Sequence, residues 1–118
     1  MHERSPKWLE DVRDAAAFID QVTQGRTLQT YGADRLLRQA VERNFEVIGE
    51  AIKRLALHDP DTAARIAQYA QIVAFRNVLI HGYDLVDHGL VWSAVQTQVP
   101  ALLRDVEAIL RSDRPGPG

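Results

Sequence analysis

Between Arg76 and Tyr83 an otherwise apolar segment carries a cation, an amide, an imidazole and a phenol, at Arg76, Asn77, His81 and Tyr83. The surrounding Ile72-Val73-Ala74-Phe75 and the intervening Val78-Leu79-Ile80 should bury themselves, so these polar groups either satisfy that core or face a cleft built on it. The chemistry they could do is acid–base. An imidazole that titrates near neutrality can take a proton from a ribose 2′-hydroxyl. A guanidinium can stabilise the extra negative charge on a five-coordinate phosphate. Neither step needs a metal, and the sequence offers no obvious metal ligand set: His2, His58, His81 and His88 form no His-x3-His pair, and no acidic cluster has hydrolase spacing. Cysteine is absent, and Ser5, Ser93 and Ser112 lie at a terminus, in a helix and in the tail, so nucleophilic catalysis has no candidate pair. The competing reading of His81 is a helix-terminal or core histidine satisfied by Asn77.

Helix geometry sharpens the choice. At about 100° per residue, Asn77 and His81 stack on one face, whereas Arg76 and His81 lie roughly 140° apart. Three solutions follow: the guanidinium stem wraps round the helix, the helix ends before His81, or a second copy of the segment supplies the partner. Gly82 suits the second, as a left-handed residue just past the last apolar turn.

Four substantial helices are expected to position this segment. Ser5-Pro6 reads as an N-cap and first helical position, followed by Leu9, Val12, Ala16 and Ile19 on one face to about Gln24. Residues 25–32 read as a loop opened by Gly25. Asp34 then caps a long helix whose stripe is Leu37, Val41, Phe45, Ile48, Ile52 and Leu55. Along its side runs a ladder, Glu42, Glu46, Glu50 and Arg54. This is either a solvated face with an ion pair of a few tenths of a kcal/mol, or a source of a carboxylate (Glu46 or Glu50) that orients Arg76 or His81. Gly49 would allow a close helix crossing beside Glu50. Pro60 breaks this helix, and a short Ala-rich one is expected over about residues 62–69. After the motif, Asp87 caps a last helix with Val91, Ala94, Val95, Leu102, Val106 and Ile109 inward and a bend at Pro100. Residues 112–118 form a tail with nothing to bury. The fold class is all-α, an antiparallel four-helix bundle with room for one more short helix, in a single domain over residues 1–111.

The chain has 118 residues, 14 Lys+Arg against 16 Asp+Glu and a net charge of −2, which argues against coating nucleic acid through bulk positive charge. Any RNA contact must be local. The first residues lack the apolar core of a signal peptide and no apolar run is long enough to span a bilayer, so the expected compartment is the cytoplasm, with no membrane partner.

The pattern Arg76-Asn77-x3-His81-x-Tyr83, with Ile48-Gly49-Glu50-Ala51 upstream and Asp87, Val91-Trp92 and Pro100-x-Leu102 downstream, resembles HepT-type ribonuclease toxins, a branch of the helical HEPN superfamily. The resemblance covers roughly residues 8–111. It implies a metal-independent endoribonuclease toxin of a type VII-like toxin–antitoxin system, with Arg76 and His81 catalytic, Asn77 and Glu50 supporting, RNA as substrate and no cofactor. It further implies that Tyr83 is the hydroxyl adenylylated by a cognate minimal nucleotidyltransferase antitoxin, which would place bulk and phosphate charge beside the cleft. Otherwise Tyr83 packs its ring on the last helix. Asp84 reads as a turn cap in preference to a feature the antitoxin recognises.

Two further expectations concern assembly. The separation of Arg76 from His81 and an apolar stripe too long for a small bundle point to a homodimer with both motif segments facing one another across a two-fold axis. The alternative function is a non-catalytic helper that binds a nucleotidyltransferase and uses Arg76, Asn77 and His81 only to bridge helices.

Overall fold

The computed structural model describes residues 1–82 and 86–112, and within them the chain is an all-α bundle. Four long helices carry it: α1 (Ser5–Thr23), α3 (Arg35–His58), α5 (Tyr69–His81) and α6 (His88–Ser112), with short α2 (Leu28–Ala33) and α4 (Pro60–Ala63) between them. α1 packs on both α3 and α6, and α5 packs chiefly on α3, so α5 lies at an edge of the assembly.

The core follows the apolar stripes. Leu37, Val41, Phe45, Ile48, Ile52 and Leu55 are all buried on α3, facing Leu9, Val12, Ala16 and Ile19 of α1. On α6 the expected stripe is inward and is joined by Val99. Pro100 is accommodated inside α6, which continues to Ser112. Two acidic caps hold as the sequence indicates: Asp34 accepts from the Leu37 N–H at 3.0 Å and Asp87 from the Leu90 N–H at 2.7 Å.

Several boundaries differ from expectation for identifiable reasons. Ser5 is the first residue of α1, not its cap, because its buried hydroxyl donates to Asp59 at 2.7 Å instead of turning back on its own helix. The loop expected over residues 25–32 contains α2. Thr27 and Thr30 cap that helix reciprocally, with Thr30 taking the place usually held by Glu or Gln. Gly25, at φ 73°, ends the preceding turn. The Ala-rich helix expected over 62–69 is replaced by the single turn of α4, capped by Asp59, and α5 begins separately at Tyr69. Ser112, expected in the tail, belongs to α6 and its hydroxyl accepts from Arg65 Nη2 at 2.7 Å.

Candidate active site

Arg76 sits where α5 crosses α3. The crossing is close because Gly49 has no side chain: a Cβ there would lie 2.2 Å from Arg76 Cβ and 2.6 Å from its Cγ. The next residue of α3, Glu50, receives the guanidinium, with Arg76 Nη2 2.8 Å from Glu50 Oε2. Glu50 also accepts from Arg54 Nε at 3.2 Å, so one carboxylate holds two cations. Arg76 Nη1 donates to Asn77 Oδ1 at 3.3 Å, while its buried Nε has no partner. The acidic ladder therefore divides by residue. Glu50 reaches Arg76, whereas Glu46 pairs locally with Arg43 at 3.4 Å.

His81 is the last residue of α5 and is exposed. The helix does not stop short of it. Gly82 follows as C-cap with φ −113°, outside the left-handed region, and donates its N–H to Val78 O at 2.8 Å. The expected left-handed Gly82 is thus corrected, because a last helical hydrogen bond closes the turn without it. Among the described residues His81 makes no hydrogen bond or ion pair, and the Asn77 amide oxygen serves Arg76 instead. Tyr83 and Asp84 lie outside the described residues.

Within one chain, then, Arg76 and His81 are not brought together. Arg76 faces a groove of about 370 Å³ shared with Trp8, Glu46, Glu50, Arg54 and Ile80, and His81 is not among its walls. Arg43, Arg54 and Arg76 in this groove are matched by Asp11, Glu46 and Glu50. A groove balanced in this way has no strong pull on a polyanion by itself. The i, i+4 ion pair expected along the ladder is that of Arg54 with Glu50, but its share in holding the carboxylate that meets Arg76 depends on a helix crossing that spacing cannot show.

Residues 12–109 match the family model described as "Ribonuclease HepT-like". The chain belongs to the HepT-like ribonuclease family. Among relatives, it is 31% identical over 104 residues to "Probable ribonuclease HepT" of Thermococcus cleftensis, covering 85% of this chain and 91% of that one. It is 30% identical over 110 residues to "Putative RNase MJ1380" of Methanocaldococcus jannaschii, covering 92% and 100%. With "Putative RNase TTE0752" of Caldanaerobacter subterraneus subsp. tengcongensis it shares 26% identity over 107 residues, covering 91% and 95%. No solved structure is a significant match. The all-α HepT-like architecture expected from the motif is the architecture found, and none of its helices is long and apolar enough to cross a membrane among the described residues.

Proposed function

We propose that this HepT-like chain is the toxin of a toxin–antitoxin pair, an endoribonuclease that cleaves RNA without a metal ion by means of Arg76 and His81. The observation that carries the reading is the contrast between the two residues. Arg76 is fixed at a helix crossing by Glu50 and Asn77, as a transition-state cation should be. His81 stands exposed at a helix end, where an imidazole can take and return a proton.

The two act across a homodimer. Beside Arg76, Asn77 and His81, α5 keeps apolar side chains that the bundle does not cover, with Val78 and Ile80 36% and 38% exposed at its edge. Their burial against a second packing partner, in addition to α3, is favourable. A second α5 would bring His81 of one copy toward Arg76 of the other and double the local positive charge. It would also provide two imidazoles, one to accept the 2′-hydroxyl proton and one to protonate the leaving 5′-oxygen.

Neutralisation follows from adenylylation of Tyr83 by a minimal nucleotidyltransferase antitoxin, since an added phosphate occupies and repels the place of the substrate phosphate. The test is cleavage of RNA by purified protein in EDTA. Activity should persist in the chelator and vanish in both Arg76→Ala and His81→Ala while helical circular dichroism is unchanged. Dependence on magnesium contradicts the metal-free mechanism. Unfolding of both variants supports a helper whose Arg76 and His81 only bridge helices.

A further inference from the structure

The Arg76 groove is balanced in the number of its charges but not in their pairing. Asp11 is taken by Lys7, a residue of its own helix outside the groove, at 2.7 Å, and Glu46 by Arg43 at 3.4 Å. Glu50 is left to serve both remaining cations. Arg76 Nη2 lies 2.8 Å from one carboxylate oxygen, Oε2, and Arg54 Nε lies 3.2 Å from the other, Oε1. Two guanidiniums on one carboxylate leave positive charge over at this end of the groove, and an incoming anion relieves it.

The two arginines differ in what they have left to give. Arg76 commits one terminal nitrogen to Glu50 and the other to Asn77, and its Nε is buried. Arg54 commits only Nε. Both of its terminal nitrogens are without a partner among the described residues, and its side chain, on the groove wall, is 59% exposed. A guanidinium anchored through Nε is held in orientation while its terminal pair stays able to grip two oxygens of one phosphate. The i, i+4 line along α3 also changes character here, from Glu46 and Glu50 to Arg54 and His58, so Arg54 stands on the side of the groove away from Glu46. Trp8, Ala51 and Ile80 add apolar wall beside these charges, which suits a nucleotide chain better than a bare ion.

We propose that Arg54 binds the phosphodiester next to the scissile one, its guanidinium set beside that of Arg76 by their shared Glu50. This role rests on the ribonuclease reading above and adds what that reading lacks, a grip on the strand before reaction. Arg76, doubly anchored and less exposed, serves the scissile phosphate; Arg54, on the opposite oxygen of the same carboxylate and open to solvent, meets its neighbour. A contact made equally in the bound substrate and in the transition state acts on KM more than on kcat.

A mixed-sequence oligonucleotide with 2′-O-methyl riboses lacks the attacking hydroxyl and reports binding alone. Arg54→Ala should weaken its binding at low salt by about tenfold, as for a lost charge-assisted hydrogen bond. The slope of log affinity on log salt should become shallower by about 0.7, the value for one phosphate contact on a single strand. Arg54→Lys should keep the parent slope, because the charge is retained, yet recover only part of the affinity, because a point charge does not replace the fork. Equal affinity and slope in Arg54→Ala and parent, or no binding by the parent, overturns the subsite. On cleavable RNA, Arg54→Ala should raise KM by about tenfold and lower kcat by less. If Arg54 does no more than brace Glu50, kcat falls through a displaced Arg76 while KM holds, which overturns the subsite and leaves the ribonuclease reading standing. If the parent cuts no RNA yet its binding depends on Arg54, the subsite stands and the catalytic reading fails.

Discussion

Gly49 and Arg76 are in such close register that a single methyl group on Gly49 would fall 2.2 Å from the Arg76 Cβ. The clash is with the root of the side chain, so α3 and α5 would have to move apart to relieve it. Gly49→Ala therefore sets a helix-propensity gain of about 1 kcal/mol against an overpacking penalty of about 1–3 kcal/mol. Thermal unfolding should show a net loss of stability. RNA cleavage should fall more than tenfold, because misplacing a charge-stabilising group is felt directly in the barrier. Cleavage at the wild-type rate would show that the close crossing is irrelevant to the site.

Glu50 separates orientation from stability. Its ion pair with Arg76 is partly exposed, with side-chain accessibilities of 18% for Arg76 and 40% for Glu50, and is screened by solvent. Glu50→Ala should change folding stability by less than about 1 kcal/mol. The same change frees Arg76 from its anchor and should lower the cleavage rate by about tenfold or more, in the manner of a lost positioning contact. Denaturant titration beside a cleavage assay distinguishes the two effects. A large loss of stability with a matching loss of activity would make Glu50 a structural strut.

Tyr83→Phe keeps the ring and removes the hydroxyl that the proposed antitoxin modifies. The variant should cleave RNA as the parent does and remain toxic when the nucleotidyltransferase is co-expressed. Mass spectrometry of the co-expressed parent should place AMP-sized additions on the peptide containing Tyr83. Additions confined to another residue would remove Tyr83 from this role.

Asp59 makes a prediction about acid. Partial burial opposes its ionisation, but hydrogen bonds from the His2 N–H, the Ser5 hydroxyl and both the hydroxyl and N–H of Thr62 outweigh that and hold the carboxyl well below its usual range. A depressed folded-state value means that the stabilisation is fully present above the unfolded carboxyl's titration, near pH 4, and is lost as the pH falls further. The junction between the N-terminus and α4 should therefore loosen below about pH 4. Asp59→Asn should lower stability at pH 7 by about 1–2 kcal/mol, and its stability should vary less with pH in the acid range than the parent's. Equal acid sensitivity in the two proteins would contradict this role for Asp59.

Much of the scaffold was legible because it depends on local repetition. The α3 stripe, the Asp34 and Asp87 caps and the helical character of the motif follow from periodicity and cap chemistry, and Gly49 beside Glu50 already suggested a close crossing. The remainder depends on partners distant in sequence. Ser5 forgoes the cap position for a carboxylate that lies at Asp59, and α2 is capped by a Thr–Thr pair that a search for Glu or Gln passes over. In the candidate site, the sequence showed that Arg76 and His81 point apart, but the choice of Glu50 over Glu46 as anchor is set by the α3–α5 crossing.

The central claim is that Arg76 and His81 act together across two copies of the chain. Arg76→Ala and His81→Ala proteins, each inactive alone, should be mixed, exchanged into heterodimers and assayed on RNA. A heterodimer keeps one intact pairing of Arg76 from one chain with His81 from the other. Activity should rise above that of either variant alone but stay below about a quarter of the parent level, because roughly half the dimers are mixed, each has one of two pairings, and its single His81 must serve as both base and acid. No recovery in heterodimers verified by native mass spectrometry, or full activity from a monomeric parent, would contradict the shared site.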